Sequence, residues 1–234
     1  MEIERALVAF AHPDDAEFLC GGTVALWAKQ GVEVTYVCAT DGSAGWNAPG
    51  MTREEIAARR EEEMREVADL LGVKEVRFLG YPDGMLEPSL DLRRALTREV
   101  RRARPEVLVS FDPSELWSGR SYISHPDHRA VGEAVLAVTA CDAPTRPQFP
   151  ELLEEGLEPF KVRRVWLASD EGEHVVDIGE AIDLKVQAVQ AHQSQMENMG
   201  EFDADARVRR WARDQAEGTP HEFVERFRAF RIEV

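Results

Sequence analysis

The chain has 234 residues, 44% of them hydrophobic, with 28 Lys and Arg against 44 Asp and Glu, for a formal net charge of −16. That length suits one substantial core, so a single domain over residues 1–234 is expected. The acidic excess repels phosphate backbones and anionic headgroups, which argues against nucleic acid and membranes as partners and favours a neutral or cationic small molecule.

Short apolar runs rich in β-branched and aromatic residues predict strands at 6–11, 33–40, 75–80 and 107–112. Between them lie helical segments at 22–30, 52–71 and 90–103, with Gly31 and Gly72 as stops. Another helix follows from Arg129 (RAVGEAVLAV). The alternation implies βαβ units, hence an α/β, Rossmann-like, mostly parallel sheet flanked by helices. Beyond Pro150 the pattern predicts strands at 164–169 and 174–178 and helices at 182–192 and 202–215. The closing EFVERFRAFRIEV fits either a strand or a short helix, and the Pro-rich stretch 143–151 reads as a loop free to move rather than a domain linker. Cys20, Cys38 and Cys141 are widely spaced and form no C-x-x-C pair, so a reduced, cytoplasmic protein is the simplest reading. The N-terminus does not resemble a signal peptide, and no apolar run approaches bilayer-spanning length.

Ligands of such sheets sit beyond the carboxyl ends of the strands. The loops expected there read AHPDDAE, TDGSAGWN, YPDG and DPSELWSGRSYISHPDH. A lone His-x-x-Asp is ordinary turn chemistry, but His12-Pro13-Asp14-Asp15 and His125-Pro126-Asp127-His128 fall at the same sheet edge. A hydrolytic zinc site needs three imidazole or carboxylate ligands and an open position. His12, Asp15 and His128 can supply that set, leaving Asp14 and His125 as base and acid. Pro126 suits the first position of a helix, which places His125 at its cap and Asp127 in the first turn, near enough to keep His125 protonated.

AHPDDAE with CGGT and the later HPDH resemble the PIG-L/LmbE-like zinc-dependent de-N-acetylases, over a stretch that reaches the AHQSQ segment. The resemblance implies zinc (Zn2+) or another divalent ion on His12, Asp15 and His128, Asp14 as general base, and His125 as electrophilic catalyst or acid oriented by Asp127. It also implies removal of an acetyl group from an N-acetylated amino sugar or its conjugate by water attack on the amide. Arg60 and Glu63 resemble the family's R-x-x-E helix, Asp83 its pocket loop, and His192 and Gln195 a late motif. Where relatives carry T-x-G-E, this chain reads Thr40-Asp41-Gly42-Ser43. The long insertion before HPDH offers Trp117, Arg120 and Tyr122 as a substrate wall. Two other readings remain: a Rossmann-type nucleotide-binding protein, which lacks G-x-G-x-x-G after the first strand, and a non-catalytic zinc protein. The oligomeric state is open, including a homo-oligomer.

Overall fold

The computed structural model describes residues 3–47, 49–118, 122–200 and 203–233. β1 (Arg5–Phe10) runs into α1 (Asp15–Lys29), then β2 (Glu33–Thr40), α2 (Arg53–Leu71), β3 (Glu75–Tyr81), α3 (Leu90–Ala103) and β4 (Val107–Phe111). A two-strand hairpin, β5 (Trp117–Ser118) and β6 (Tyr122–Ile123), leads to α4 (Pro126–Ala137), which a π-helical turn, Val138–Asp142, extends. The remainder is α5 (Glu151–Glu154), β7 (Arg164–Ala168), β8 (His174–Asp177), α6 (Ile182–Ala191), α7 (Gln193–Asn198), α8 (Ala204–Gln215) and β9 (Val224–Arg231).

Seven strands form one sheet in the order β3-β2-β1-β4-β7-β9-β8. β3, β2, β1, β4 and β7 are parallel, and β9 is antiparallel to both its neighbours. The ambiguous C-terminal segment is therefore a strand, inserted between β7 and β8. α1, α2, α6 and α8 pack together on one side of the sheet, and α3 with α4 on the other. A sheet covered on both faces needs unbroken apolar strands, which is why LVAF in β1 and VLVSF in β4 are buried throughout. Chain order reverses between β1 and β4, so the loops after them open into one crevice.

Helix α1 starts at Asp15, seven residues before the expected Gly22, and it is two helices joined at a kink where Cys20 has φ −153° and ψ 24°. The expected boundary is the start of its second half. The kink frees the amides of Gly22 and Thr23, which donate to the buried Glu225 carboxylate of β9 at 2.9 and 2.8 Å. Lys185 of α6 donates to the same carboxylate at 2.6 Å. A Cβ on Gly22 would sit 2.8 Å from the Ile178 side chain, so this glycine is needed for close packing. Elsewhere local rules hold: Thr52 and Glu55 form a capping box on α2, and Gly72 ends that helix in the left-handed conformation. The 143–151 loop is tied down rather than free. The Arg101 guanidinium donates to the carbonyls of Asp142, Ala143, Thr145 and Gln148.

Candidate active site

The β1–α1 loop and the start of α4 bring both His-Pro-Asp clusters together. His12 Nδ1 lies 3.2 Å from an Asp15 carboxylate oxygen, His128 Nε2 lies 3.1 Å from the other, and the two imidazole nitrogens are 3.3 Å apart. Zinc bonds of about 2.0–2.1 Å in a tetrahedron separate neighbouring donor atoms by roughly 3.3 Å, so the three groups fit one such ion. Two other groupings also lie within reach of a metal, His12 with His125 and His128, and His12 with Asp83 and Asp127. The second is closed off, because Asp127 already accepts the amides of Gly84 and Leu86 at 2.8 and 3.1 Å. The first is weakened because His125 Nδ1 accepts the Asp127 amide at 3.2 Å. Asp15 and His128 line the large cavity, which leaves the Nδ1 side of His12 as the open one.

The rings are held by their other edges. His12 Nε2 is 3.2 Å from both Asp127 Oδ2 and Asp83 Oδ1. His128 stacks on Phe111 with centroids 4.1 Å apart and planes at 7°, and its Nδ1 lies 3.3 Å from the Tyr122 hydroxyl. Such partners fix ring orientation and tautomer. Burial works against a charged His12, but the carboxylates of Asp15, Asp127 and Asp83 outweigh it and push its pKa up to about 12. Burial likewise works against an ionised Asp15, yet His128 and His12 hold its carboxyl well below the usual range. The carboxylates of Asp15, Asp83 and Asp127 make the surroundings of His12 electronegative.

His125 caps α4 as expected, and Asp127 pulls its pKa up by less than its other surroundings push it down. The Asp127 carboxylate is committed to His12 and stays 4.0 Å from His125 Nδ1. Burial and then the charge of His12 lower the His125 pKa. With Nδ1 accepting a backbone N–H, the neutral ring carries its proton on Nε2 and acts as a hydrogen-bond donor.

Asp14 has φ 153° and ψ −23°, a backbone conformation that favours glycine and is retained by non-glycine residues mainly at functional sites. Arg60 of α2 pins it, with Nη2 donating to the Pro13 carbonyl at 3.1 Å and to Asp14 Oδ1 at 3.0 Å, while Nη1 donates to the Gly42 carbonyl at 2.8 Å. Burial raises the Asp14 pKa against the pull of Arg60. Its carboxyl borders a cavity of about 920 Å3 that runs from Asp15 and His128 out to α8.

Residues 7–139, more than half of the chain, match the PIG-L family, described as GlcNAc-PI de-N-acetylase. The chain belongs to the PIG-L family. It is 34% identical to a probable N-acetyl-alpha-D-glucosaminyl L-malate deacetylase 2 of Bacillus anthracis, with 83% of each chain covered. It is 32% identical to the diacetylchitobiose deacetylase of Thermococcus kodakarensis, covering 83% of this chain and 71% of that one. The solved N,N'-diacetylchitobiose deacetylase of Pyrococcus horikoshii superposes with a TM-score of 0.90 at 31% identity, over 98% of this chain and 85% of that one.

Other residues expected from the PIG-L resemblance fall into supporting positions. Arg60 is buried against Asp14, and Asp83 is shared among His12, the Ala44 amide at 3.0 Å and Arg60 at 3.7 Å. Asp41 takes the amides of Ser43 and Asp83, joining the loops after β2 and β3, and Ser43 accepts from Arg53 at 2.9 Å. Glu63 bonds the amide and hydroxyl of Ser194 at the start of α7, next to the buried Gln195. His192 lies under the site rather than in the cavity wall, its Nε2 2.9 Å from Glu17. Trp117 and Tyr122 line the cavity, and Arg120 lies outside the described residues. Sequence reasoning missed Glu17 and Gly45. Glu17 lies two residues past the HPDD run in α1, and Gly45 is legible only from packing, since a Cβ there would collide with the Arg60 guanidinium.

Proposed function

We propose that this chain, acting as a single catalytic domain, is a zinc-dependent hydrolase that removes the acetyl group from an N-acetylated amino sugar or its conjugate. The observation that carries this is the 3.1–3.3 Å convergence of His12 Nδ1, Asp15 and His128 Nε2 beside Asp14 at the inner end of the cavity. Zinc held by His12, Asp15 and His128 would supply Lewis acidity and a lowered pKa for water.

The chain's own residues supply the rest. Asp14, its pKa raised by burial, removes a proton from the attacking water as the new C–O bond forms at the acetyl carbonyl. His125 Nε2–H donates to the carbonyl oxygen as negative charge builds there. Asp14 then returns its proton to the amine nitrogen as the C–N bond breaks, giving acetate and the free amine. Arg60 holds Asp14 in its strained conformation, and Asp83 and Asp127 orient His12. Among the described residues no helix is long and apolar enough to cross a membrane. The three cysteines are free thiols, Cys20 and Cys38 buried, which supports a reducing cytoplasmic setting.

The test combines metal analysis with acetate release from N-acetylglucosamine, N,N'-diacetylchitobiose and N-acetylglucosaminyl malate. The wild type should bind about one zinc per chain and release acetate from at least one of them. His128→Ala should lose the metal. Asp14→Asn should keep it and lose roughly 10²–10⁴ in kcat. Full turnover by metal-loaded Asp14→Asn, or no stoichiometric zinc in the wild type, would remove this reading.

A further inference from the structure

The deacetylation chemistry uses the inner end of the cavity and leaves its outer end, under α8, without a role. The cavity encloses about 920 Å3. That is near the top of the roughly 300–1,000 Å3 span of small-molecule sites.

The outer wall is built around Trp211 of α8, whose indole Nε1 donates to Asp170 Oδ1 at 3.0 Å. Gln215 donates to the same oxygen at 2.7 Å, and Lys185 Nζ lies 5.4 Å from the ring centroid. These contacts fix the orientation of the indole before any ligand arrives. Trp117 lines the same cavity from the β5–β6 hairpin and is 67% exposed. Two indoles thus border one space, one anchored and one open.

The charges around that space decide what it takes. Arg226 spends its donors on the carbonyls of Gln215, Gly172 and Glu217, Arg210 lies 3.6 Å from Asp214, and Arg207 is engaged as well. An ionised carboxylate offers about four lone-pair positions, so one that already has partners can still accept from a hydroxyl. Asp170 and Glu115, the latter bonded to the Ser169 hydroxyl, face the outer cavity. A ring with many hydroxyls matches this wall, donating to the carboxylates while its C–H face lies on an indole. Among the described residues of this wall, an anionic group would meet these carboxylates, and each arginine already has a partner.

We propose that the outer cavity is a subsite for a second, neutral sugar ring, with Trp211 as its stacking platform. It makes this chain select an N-acetylated disaccharide or longer glycan over a conjugate whose aglycone bears carboxylates. The proposal rests on the deacetylase reading only for placing the reacting sugar at the inner end.

Calorimetric binding to zinc-loaded Asp14→Asn protein separates the two claims, because no turnover is needed. The probes are N-acetylglucosamine, N,N'-diacetylchitobiose and N-acetylglucosaminyl malate. The disaccharide should bind about tenfold more tightly than the monosaccharide, the scale of one well-packed aromatic contact. Adding Trp211→Ala should collapse that ratio to within about twofold, and Trp211→Phe should preserve most of it. Trp117→Ala, at an exposed position, should narrow the ratio by a few-fold and serves if the Trp211 variant does not fold. A ratio unmoved by these changes overturns the proposal. So does tighter binding of the malate conjugate than of the disaccharide, which assigns the outer cavity to an anionic aglycone. Loss of the ratio in a protein whose wild type releases no acetate keeps the subsite and removes the deacetylase reading. Acetate release with an unmoved ratio does the reverse.

Discussion

His12 is a junction between two environments: Nδ1 faces Asp15 and His128, while Nε2 faces Asp127 and Asp83. The Asp127 carboxylate thus bonds His12 Nε2 and lies 4.0 Å from His125 Nδ1, raising the His125 pKa by less than burial and His12 lower it. Asp127→Asn should lower zinc affinity by about 10–100-fold, the usual effect of removing an outer partner of a ligating histidine. Competition with a chromogenic chelator measures this, and unchanged affinity with an altered pH profile would return Asp127 to His125. The same surroundings set a proton balance. Without metal, the His12 pKa is raised from 6.5 to about 12, so its proton adds stability that is fully present below about 6.5 and lost as pH rises through about 12. A cation held on Nδ1, as proposed, would replace that proton. Zinc binding near pH 7.5 should accordingly release about one proton per ion from His12. Calorimetry in two buffers of different ionisation heat reads this directly, and zero release would mean that His12 is already neutral.

Secondary-structure elements carry the site through unequal devices. Helix α4 presents His125 and His128 by local rules alone, with Pro126 in its first turn and His125 at its cap. Helix α1 needs a long-range device, because the kink at Cys20 exposes two amides that only Glu225, from the last strand, satisfies. Glu225 and Lys185 are each 2% exposed, so removing one strands the other. Glu225→Ala should destabilise the fold by about 3–5 kcal/mol, the range for breaking a buried ion pair. Glu225→Gln should lose less, since it still accepts an amide. Denaturant unfolding distinguishes them, and a loss below about 1 kcal/mol for the alanine variant would show that the kink is satisfied some other way. Helix α2 serves two sites with residues three apart in sequence: Arg60 reaches Asp14, and Glu63 reaches Ser194.

Across the whole molecule, the C-terminal strand β9 completes the sheet between β7 and β8 and reaches α1 through Glu225. The two ends of the chain are thereby locked into one core, and unfolding should be a single calorimetric transition in which van't Hoff and calorimetric enthalpies agree. Zinc at 100 times its Kd should add about 2.7 kcal/mol of stability. Two resolved transitions would split the chain into separate units. The sheet, its parallel majority and the loops that carry the chemistry were legible in the sequence because they follow from local rules. Apolar runs of strand length, helix caps such as Thr52 and Gly72, and His-Pro-Asp clusters after strands are all short-range signals. That His12, Asp15 and His128 would lie close in space was readable because the topology of a parallel sheet puts the ends of β1 and β4 side by side. What the tertiary structure alone decided is how each polar group is shared. Asp127 meets His12 across 115 residues, Arg60 meets Asp14 across 46, and Glu225 meets Gly22 across 203. Such pairings depend on which side chains burial leaves within about 3 Å of one another, and no periodicity along the chain records them.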